Sequence, residues 1–285
     1  MIAIFDIGSN SVRMGLVRGQ ATLKKQLVTT RLGEGLAHFG VLQEEPMRRT
    51  VEAMLLLKES AAASGATAFY AYATEAVRKA QNGRDFACLV QQKTGIPVEI
   101  LSGEEEAEIG VLGALKGACG AIIDIGGAST ELAVKTEEGI AAKSLPVGCV
   151  VLKNLCGEDD EKLSSFCTPQ AAQYGALSTL PLVGIGGTAT SLAAFDLSLT
   201  AYDPEKVTGH AVTLSALQSV IEKLKGTSVE ERVAAGVHPG RADLLYVGAV
   251  WMKTVLTAIG APSFIASDSD NIEGYAQLLA RRKMI

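Results

Sequence analysis

The sequence lacks the long hydrophobic runs and the leader that would direct a chain into or across a membrane. No stretch approaches the ~18 apolar residues that a membrane-spanning helix needs. The N-terminus has neither the basic flank nor the cleavage site of a signal peptide, and it enters a predicted strand at once. These absences predict a cytoplasmic protein without a membrane partner.

Positive charge is also scarce, because 26 Lys and Arg residues face 31 Asp and Glu residues, for a formal net charge of −5. A general nucleic-acid binder needs a basic surface, so the balance predicts no nucleic acid partner. The five Cys residues include no C-x-x-C pair, and the three His residues are scattered. This pattern indicates reduced thiols and argues against a zinc site.

Aromatic residues make up only 5% of the chain, whereas hydrophobic residues make up 48%, as expected for closely packed α/β layers. A chain of 285 residues is long enough for two domains, and predicted strands alternate with predicted helices. We predict an N-terminal domain over residues 1–117, with the last helix, 271–285, packed back on it. A C-terminal domain covers 118–285. The charged stretch 157–162 is interpreted as a solvated loop.

What the sequence does contain is one phrase that occurs twice. Residues 6–11 read D-I-G-S-N-S, and residues 124–131 read D-I-G-G-A-S-T-E. Each phrase lies between two short apolar runs, which predicts a β-hairpin with a glycine turn. Glycine lets the backbone approach a ligand closely, and successive N–H groups can then point at one anion. A single D-x-G is most often an ordinary turn, but the repeat favours two phosphate loops that face each other across a cleft between related domains.

The first loop offers both anion donors and a carboxylate. Its candidate phosphate ligands are Asp6, Gly8, Ser9, Asn10, Ser11 and Arg13. An Asp at a strand end can hold a magnesium ion directly or through water. Arg13 is a candidate clamp for a phosphoryl oxygen, although an outward-facing strand residue explains it equally well.

A third glycine turn, G-I-G-G-T-A-T at 184–190, lies between a predicted strand and a predicted helix. Such a turn aims N–H groups and the positive end of the helix at an anion. Gly186, Gly187 and Thr188 are therefore candidate phosphate ligands. The turn lacks the Lys of a P-loop and the spacing of a dinucleotide fingerprint, and tight strand–helix packing is the alternative.

Two further segments carry charges that suit phosphate chemistry. Four carboxylates open the helix predicted in S-G-E-E-E-A-E at 102–108. Ser102 and Glu105 have capping-box spacing, so a good helix start is the plain interpretation, but a buried carboxylate there would suit the activation of water. Arg78 lies at a strand-to-helix junction, where a guanidinium can bind phosphate as a fork. An exposed helix Arg is the alternative.

In this order, the motifs resemble those of the exopolyphosphatase and guanosine-pentaphosphate phosphohydrolase family. The matching phrases are D-I-G-S-N-S-V-R at 6–13, A-T-E-A-V-R-K-A-Q-N at 73–82, S-G-E-E-E-A at 102–107, D-I-G-G-A-S-T-E at 124–131, L-P-V-G-C-V-V-L at 145–152 and G-I-G-G-T-A-T-S-L-A at 184–193. The resemblance covers nearly the whole chain. It implies an α/β fold with two ribonuclease-H-like, actin-like domains around a central cleft.

The resemblance also implies an activity and residue roles. Family members release the terminal phosphate of inorganic polyphosphate, or the 5′ γ-phosphate of guanosine pentaphosphate, with magnesium as the cofactor and potassium as a candidate stimulating ion. Glu106 matches the base that activates water, and Arg78 matches a phosphate-binding Arg. Asp124 and Glu131 match acidic residues that frame the metal. The second phosphate loop is matched by Gly126, Gly127 and Ser129, and the first by Gly8 to Ser11.

The chain departs from the family pattern in three ways. Ala128 stands where a glycine is usual, which suits the loop only if the position needs no positive φ. Ile272 occupies the Arg position of the usual G-L-R-E-G phrase, so one positive group is missing. The chain also lacks the helical C-terminal domain of longer members, which suggests a shorter substrate.

The primary hypothesis is therefore an exopolyphosphatase that releases orthophosphate from polyphosphate. Hydrolysis of guanosine pentaphosphate and a non-catalytic sensor of polyphosphate or alarmones are the alternatives. A sugar or acetate kinase shares only the fold. A homodimer is expected from the apolar surface of the terminal helices.

Overall fold

The structure is a computed structural model that describes residues 1–19, 21–177 and 181–285. Its contacts divide the chain into two compact units. Unit 1 comprises Met1–Gly113 and Asn271–Ile285, and unit 2 comprises Ala114–Asp270. Units defined by contacts are not by themselves independently folding domains, so the domain limits given above stay a prediction.

The first part of the chain alternates strands and helices in unit 1. The elements are β1 (Ile2–Ile7), β2 (Ser11–Arg18), β3 (Ala21–Thr29), α1 (Leu36–Phe39), α2 (Glu44–Ala63), β4 (Ala68–Ala73), α3 (Glu75–Lys79), α4 (Gly83–Thr94), β5 (Val98–Ile100) and α5 (Gly103–Leu115). In the described residues they form a sheet of order β3-β2-β1-β4-β5. Strands β1 to β3 are antiparallel neighbours, and β4 and β5 run parallel to β1.

The second part repeats this arrangement in unit 2. The elements are β6 (Gly120–Ile125), β7 (Thr130–Lys135), β8 (Ile140–Leu145), α6 (Cys149–Cys156), α7 (Asp160–Ala171), a 3-10 turn (Ala172–Tyr174), β9 (Leu182–Ile185), α8 (Gly186–Asp196), α9 (Pro204–Val207), β10 (Ala211–Thr213), α10 (Leu214–Leu224), α11 (Val229–Ala234), α12 (Leu245–Ile259) and β11 (Ser263–Ala266). Their sheet order is β10-β11-β9-β6-β7-β8, as far as the structure describes the chain.

The two sheets share one plan. Reading from β8, the order β8-β7-β6-β9-β11 repeats β3-β2-β1-β4-β5, and unit 2 adds β10 at one edge. The central strands are buried on both faces, which explains their continuous apolar sequences. The predicted α/β class is therefore confirmed, both sheets are mixed, and the repeated phrase reflects a repeated hairpin.

The last helix, α13 (Asn271–Arg281), belongs to unit 1 and packs on β1 and β2. Its buried Ile272 fills the space above Gly15 of β2 and lies in an apolar cluster with Tyr72 and Tyr275. Residue 272, where the family pattern has an Arg, is therefore a core position of this chain. Among the described residues, no helix combines the length and the apolar character needed to cross a bilayer.

The interpretation of residues 157–162 as a solvated loop holds for residues 157–159 but not for residues 160–162, which form the first turn of α7. Asp159 accepts backbone hydrogen bonds from Glu161 and Lys162 and caps α7, which begins at Asp160. Glu158 forms a bidentate ion pair with Arg232, whose side chain is 1% exposed. The charges therefore hold a helix start and a buried partner in place.

Candidate functional site

In unit 1 the first glycine turn closes the hairpin between β1 and β2. The Gly8 N–H donates to the Ser11 carbonyl at 3.1 Å, so it is engaged within the turn itself. The Ser9 carbonyl accepts from the N–H of Gly33, and the Asn10 carbonyl accepts from residues 30 and 31. Ser9 and Ser11 are buried. Gly8 therefore forms part of the turn, and backbone hydrogen bonds from residues 30, 31 and 33 hold Ser9 and Asn10 at its tip.

The hairpin register places Asp6 opposite Arg13. Arg13 Nε donates to Asp6 Oδ2 at 2.9 Å, and Nη2 contacts the same oxygen. The predicted phosphate clamp is therefore engaged with Asp6, another predicted phosphate-site residue of the same hairpin. The pair is largely buried. Arg13 therefore offsets the charge of Asp6 within the hairpin itself.

The candidate base and the candidate phosphate-binding Arg lie together in unit 1. Glu106 is 7% exposed and lies in the first turn of α5. Arg78 Nη1 and Nη2 are each 3.3 Å from Glu106 Oε2, and the same guanidinium contacts Glu75 and the carbonyl of Leu101. Burial lowers the pKa of Arg78, but the charges of Glu106 and Glu75 outweigh burial and raise it above its ordinary value.

The start of α5 explains why Glu106 faces Arg78. The Glu105 N–H donates to Ser102 Oγ at 3.1 Å, and the Ser102 N–H donates to Glu105 Oε2 at 2.8 Å. The predicted capping box is therefore confirmed. It turns Glu105 back on the helix start, and because neighbouring helical positions diverge by about 100°, Glu106 points elsewhere.

In unit 2 the second glycine turn has the same hydrogen bond as the first. The Gly126 N–H donates to the Ser129 carbonyl at 2.9 Å. The carbonyls of Gly126 and Gly127 accept from the N–H groups of Cys149 and Val150, which ties the turn to the start of α6. Ala128 is absent from the described non-glycine residues with positive φ, so alanine fits there without strain.

A row of polar side chains crosses the sheet of unit 2 beside this turn. Asp124 pairs with Glu131, and Glu131 pairs with Ser144, in the register of β6, β7 and β8. Asp124 is 8% exposed and Glu131 is 1% exposed. Ser144 Oγ donates to Glu131 Oε1 at 2.7 Å. Two buried carboxylates thus occupy the register positions that Asp6 and Arg13 occupy in the first hairpin.

This carboxylate pair suits a hard cation in donor chemistry. Magnesium prefers oxygen ligands, is often bound through one or two carboxylates, and keeps several waters or substrate phosphate oxygens. The described residues contain no group of three or more His, Cys, Asp or Glu side chains that could hold a metal ion by themselves. Asp124 and Glu131 therefore fit an ion that shares its coordination with water and phosphate, and they do not form a closed protein cage.

The third glycine turn joins β9 to α8 next to Asp124. Gly186 has a φ of 72°, and a Cβ there would collide with Asp124 Oδ1, so only glycine is suitable. Thr188 Oγ1 donates to the Ile125 carbonyl at 2.7 Å, which links this turn to the end of β6. The second and third turns therefore meet in unit 2, with Asp124 between them.

Arg241 was not among the predicted site residues, but its guanidinium occupies the space that a Gly187 side chain would need. Its segment is fixed by hydrogen bonds from Gly240 N–H to His238 Nδ1 and from Arg241 N–H to the His238 carbonyl. Burial, and next the Arg241 charge, lower the pKa of His238. The signal in the sequence was a lone Arg in the Pro- and Gly-containing turn H-P-G-R at 238–241.

The thiol of Cys149, a potential nucleophile, lies beside Thr188 of the third glycine turn and is unreactive. Burial raises the pKa of Cys149 to about 11, against weaker opposing effects of Thr188 and Arg241. Its Sγ is 3.4 Å from Thr188 Oγ1. At neutral pH the thiol is therefore protonated, which argues against a covalent mechanism.

The predicted residues thus form two groups. Unit 1 holds Asp6, Gly8, Ser9, Asn10, Ser11, Arg13, Arg78 and Glu106, and unit 2 holds Asp124, Gly126, Gly127, Ser129, Glu131, Gly186, Gly187 and Thr188. Within unit 1, Arg13 meets Asp6 and Arg78 meets Glu106. The expectation that the two hairpins face each other across a cleft stays a prediction.

Comparison with known proteins gives consistent matches. The model of the Ppx/GppA phosphatase family matches residues 13–276. Exopolyphosphatase 2 of Mycobacterium tuberculosis is 31% identical, over 98% of both chains. The crystal structure of the Aquifex aeolicus Ppx/GppA family member is 26% identical and aligns with a TM-score of 0.78, over 99% of this chain and 98% of that one.

A second solved structure, of an exopolyphosphatase-like protein, is 26% identical and aligns with a TM-score of 0.84 over 99% of each chain. These structural matches extend over essentially all of the sequence. Together with the two mixed sheets, they confirm the predicted actin-like α/β fold.

Proposed function

Because the chain belongs to the Ppx/GppA phosphatase family, we propose that it hydrolyses the terminal phosphoanhydride of inorganic polyphosphate and releases orthophosphate. The observation that carries the proposal is the buried Glu106 carboxylate beside the Arg78 guanidinium. A buried carboxylate can accept a proton from water, and an adjacent guanidinium can bind the phosphoryl group that the water attacks. The name of the M. tuberculosis relative supports polyphosphate as the substrate.

In the proposed reaction Glu106 orients a water molecule and accepts its proton as the water oxygen attacks the terminal phosphorus. The bond from that phosphorus to the bridging oxygen breaks, and the shortened polyphosphate leaves on that oxygen. Arg78 binds non-bridging oxygens of the terminal group and balances the charge that develops there. Such catalysis depends on positioning and charge neutralisation, with no covalent enzyme intermediate.

Asp124 and Glu131 are the proposed magnesium ligands. The support is their register on β6 and β7, their burial and their like charge, which a divalent cation would offset. A bound magnesium ion would neutralise phosphate oxygens and the leaving group. Potassium as a stimulating ion rests on the family resemblance alone.

The glycine turns are the proposed phosphate loops of the two units. In unit 2, Ser129 and the backbones of Gly126, Gly127, Gly186, Gly187 and Thr188 supply the polar groups, and Arg241 supplies a cation beside Gly187. In unit 1 the loop comprises Gly8, Ser9, Asn10 and Ser11 with the Asp6–Arg13 pair. Arg241 supplies a positive charge in this chain, where residue 272 is an isoleucine in the core.

Timed phosphate release from polyphosphates of defined length, with and without magnesium, tests the activity. Glu106→Gln keeps the shape of the side chain and removes the base, so we expect kcat to fall by about 10²–10⁴-fold while the fold persists. Glu104→Gln is the matched control, because Glu104 is an exposed carboxylate in the same helical turn. Full activity of Glu106→Gln would refute the assignment of the base.

Guanosine pentaphosphate is the alternative substrate, since it presents the same terminal phosphoanhydride. Competition between polyphosphate and pentaphosphate at equal concentrations separates the two, and a large advantage in kcat/KM for pentaphosphate would reverse the ranking. Ligand binding without phosphate release over hours would instead support a sensor. A cytoplasmic location, supported by five free cysteines, and a homodimer remain part of the proposal.

A further inference from the structure

The guanidinium of Arg78 is held by three partners that use all of its donors. A guanidinium carries five N–H groups. Nε and Nη2 donate to Glu75 Oε2 at 3.0 and 2.6 Å. Nη1 donates to the Leu101 carbonyl, and Nη1 and Nη2 each lie 3.3 Å from Glu106 Oε2. A phosphate can therefore reach Arg78 only by replacing one of these partners.

The lengths of the contacts indicate which partner gives way. Charge-assisted N–H···O bonds are strong at about 2.7–2.9 Å, and contacts at 3.3 Å lie beyond the usual range. Glu75 thus holds one edge of the guanidinium firmly, and Leu101 fixes Nη1. The edge that faces Glu106 is held weakly, although Glu106 is buried and carries the opposite charge. That edge is the part of Arg78 that can be exchanged.

We propose that Glu75 is a positioning residue that anchors Arg78 while the opposite guanidinium edge passes from Glu106 to the terminal phosphate of the substrate. The inference rests on the proposed function. In the structure the contact with Arg78 occupies Glu106 Oε2, so this oxygen is engaged and less accessible to a water molecule. A phosphate that takes both donors releases this oxygen from Arg78, so that the oxygen can accept a proton from water. Substrate binding thereby prepares the base.

Anchoring by Glu75 matters because Glu75 and Glu106 both attract the flexible side chain of Arg78. Glu75 and Glu106 are the two carboxylates described in contact with Arg78. When Glu75 is removed, Arg78 keeps the contact with Glu106, and the two side chains can form a tighter, bidentate ion pair. The substrate then has to compete with a stronger pair, and the base stays occupied more of the time. Loss of Glu75 should therefore lower kcat as well as raise KM.

Steady-state hydrolysis of tripolyphosphate by a double-mutant cycle tests this role. Glu75→Ala should lower kcat/KM by about 10- to 100-fold, the size expected for a displaced catalytic group. Glu75→Gln retains an acceptor oxygen and should recover part of the loss. In the Arg78→Ala background, Glu75→Ala should change kcat/KM by less than about twofold, because Glu75 acts through Arg78. Glu104→Gln, with no described contact to Arg78, is the control and should match wild type.

A purely structural role for Glu75 would give equal losses in both backgrounds, and that result would overturn the inference. Thermal melting of each variant shows whether the fold persists. Binding of imidotriphosphate, whose bridging nitrogens resist hydrolysis, gives a second cycle by calorimetry. Non-additive binding in a protein that hydrolyses no polyphosphate would refute the proposed function and retain the positioning role. Hydrolysis of polyphosphate with additive losses would support the proposed function and refute the positioning role. A protein that neither binds imidotriphosphate nor hydrolyses polyphosphate would refute both proposals.

Discussion

At the scale of single residues, the charge of each hairpin is set by one position. Asp6 faces Arg13 in unit 1, whereas the equivalent Asp124 faces Glu131 in unit 2. The first pair is an ion pair between a carboxylate and a guanidinium, whereas the second pair consists of two acidic side chains. Two buried carboxylate side chains in register support the proposal that the second hairpin binds a divalent cation.

Gly187→Ala tests the proposed role of Arg241 without changing its charge. A Cβ at residue 187 would occupy the position of the guanidinium, while the backbone there has no positive φ. We expect the fold to persist and Arg241 to move away. Steady-state kinetics should show kcat/KM lower by about 10- to 100-fold, which corresponds to the roughly 1.5–3 kcal/mol of a hydrogen bond to a charged group.

Arg241→Ala is the comparison for that variant. If Gly187→Ala acts by moving the guanidinium, the double variant should be no worse than Arg241→Ala alone. Normal kinetics for Gly187→Ala with a displaced Arg241 would exclude Arg241 from phosphate binding. The wild-type protein serves as the reference for both variants. Gly226→Ala would not be a suitable control substitution, because Gly226 has a φ of 75° and alanine there would strain the backbone.

At the scale of secondary-structure elements, one buried ion pair joins α11 to the segment between α6 and α7. Arg232 donates to both carboxylate oxygens of Glu158 and to the carbonyls of Leu224 and Ala242. Its guanidinium also lies 5.9 Å from the ring centroid of Tyr246. The donors of this buried cation are thus met by several elements of unit 2 at once.

Glu158→Ala should destabilise the protein by about 3–5 kcal/mol, because it leaves the buried Arg232 without its carboxylate. Chemical denaturation measures the loss. Glu161→Ala, an exposed carboxylate at the start of α7, should change stability by less than about 0.5 kcal/mol. Equal effects of the two substitutions would show that the pair contributes no specific stability.

The sequence predicts local features of the elements better than the contacts between elements that are far apart in the chain. The hairpins, the capping box at Ser102 and the α8 turn follow from local patterns, and the structure has all three. Arg241 and the Glu158–Arg232 pair join residues far apart in the chain, and no local spacing reports such contacts. Arg13 was ambiguous because strand alternation assigns it a face, and only the register identifies Asp6 as its partner.

At the scale of the whole molecule, the chain leaves unit 1, builds unit 2 and returns. The returning helix α13 completes an apolar cluster on the sheet of unit 1, in which the Tyr72 and Tyr275 rings lie 4.7 Å apart. Tyr275 also donates to Glu99 Oε2 at 2.7 Å. The fold of the first segment therefore depends on the last residues of the chain.

Deletion of 271–285 tests that dependence. It uncovers Ile4, Val17 and Tyr72, all buried beneath α13, so we expect faster amide exchange throughout β1 and β2. The amides of β6 and β7 in unit 2 should keep their protection. Deletion of 282–285 alone, which leaves α13 intact, is the control. Unchanged exchange in β1 after the longer deletion would contradict the assignment of α13 to unit 1.

The differing partners of the two aspartates have a consequence for how the repeat can be engineered. The residue opposite the aspartate is Arg13 in the first hairpin and Glu131 in the second, so the two repeats present different charges on the same backbone plan. If the carboxylate pair defines the proposed magnesium site, grafting the second hairpin onto unit 1 would create a divalent-cation site there. The copies share a shape, but they are not interchangeable parts.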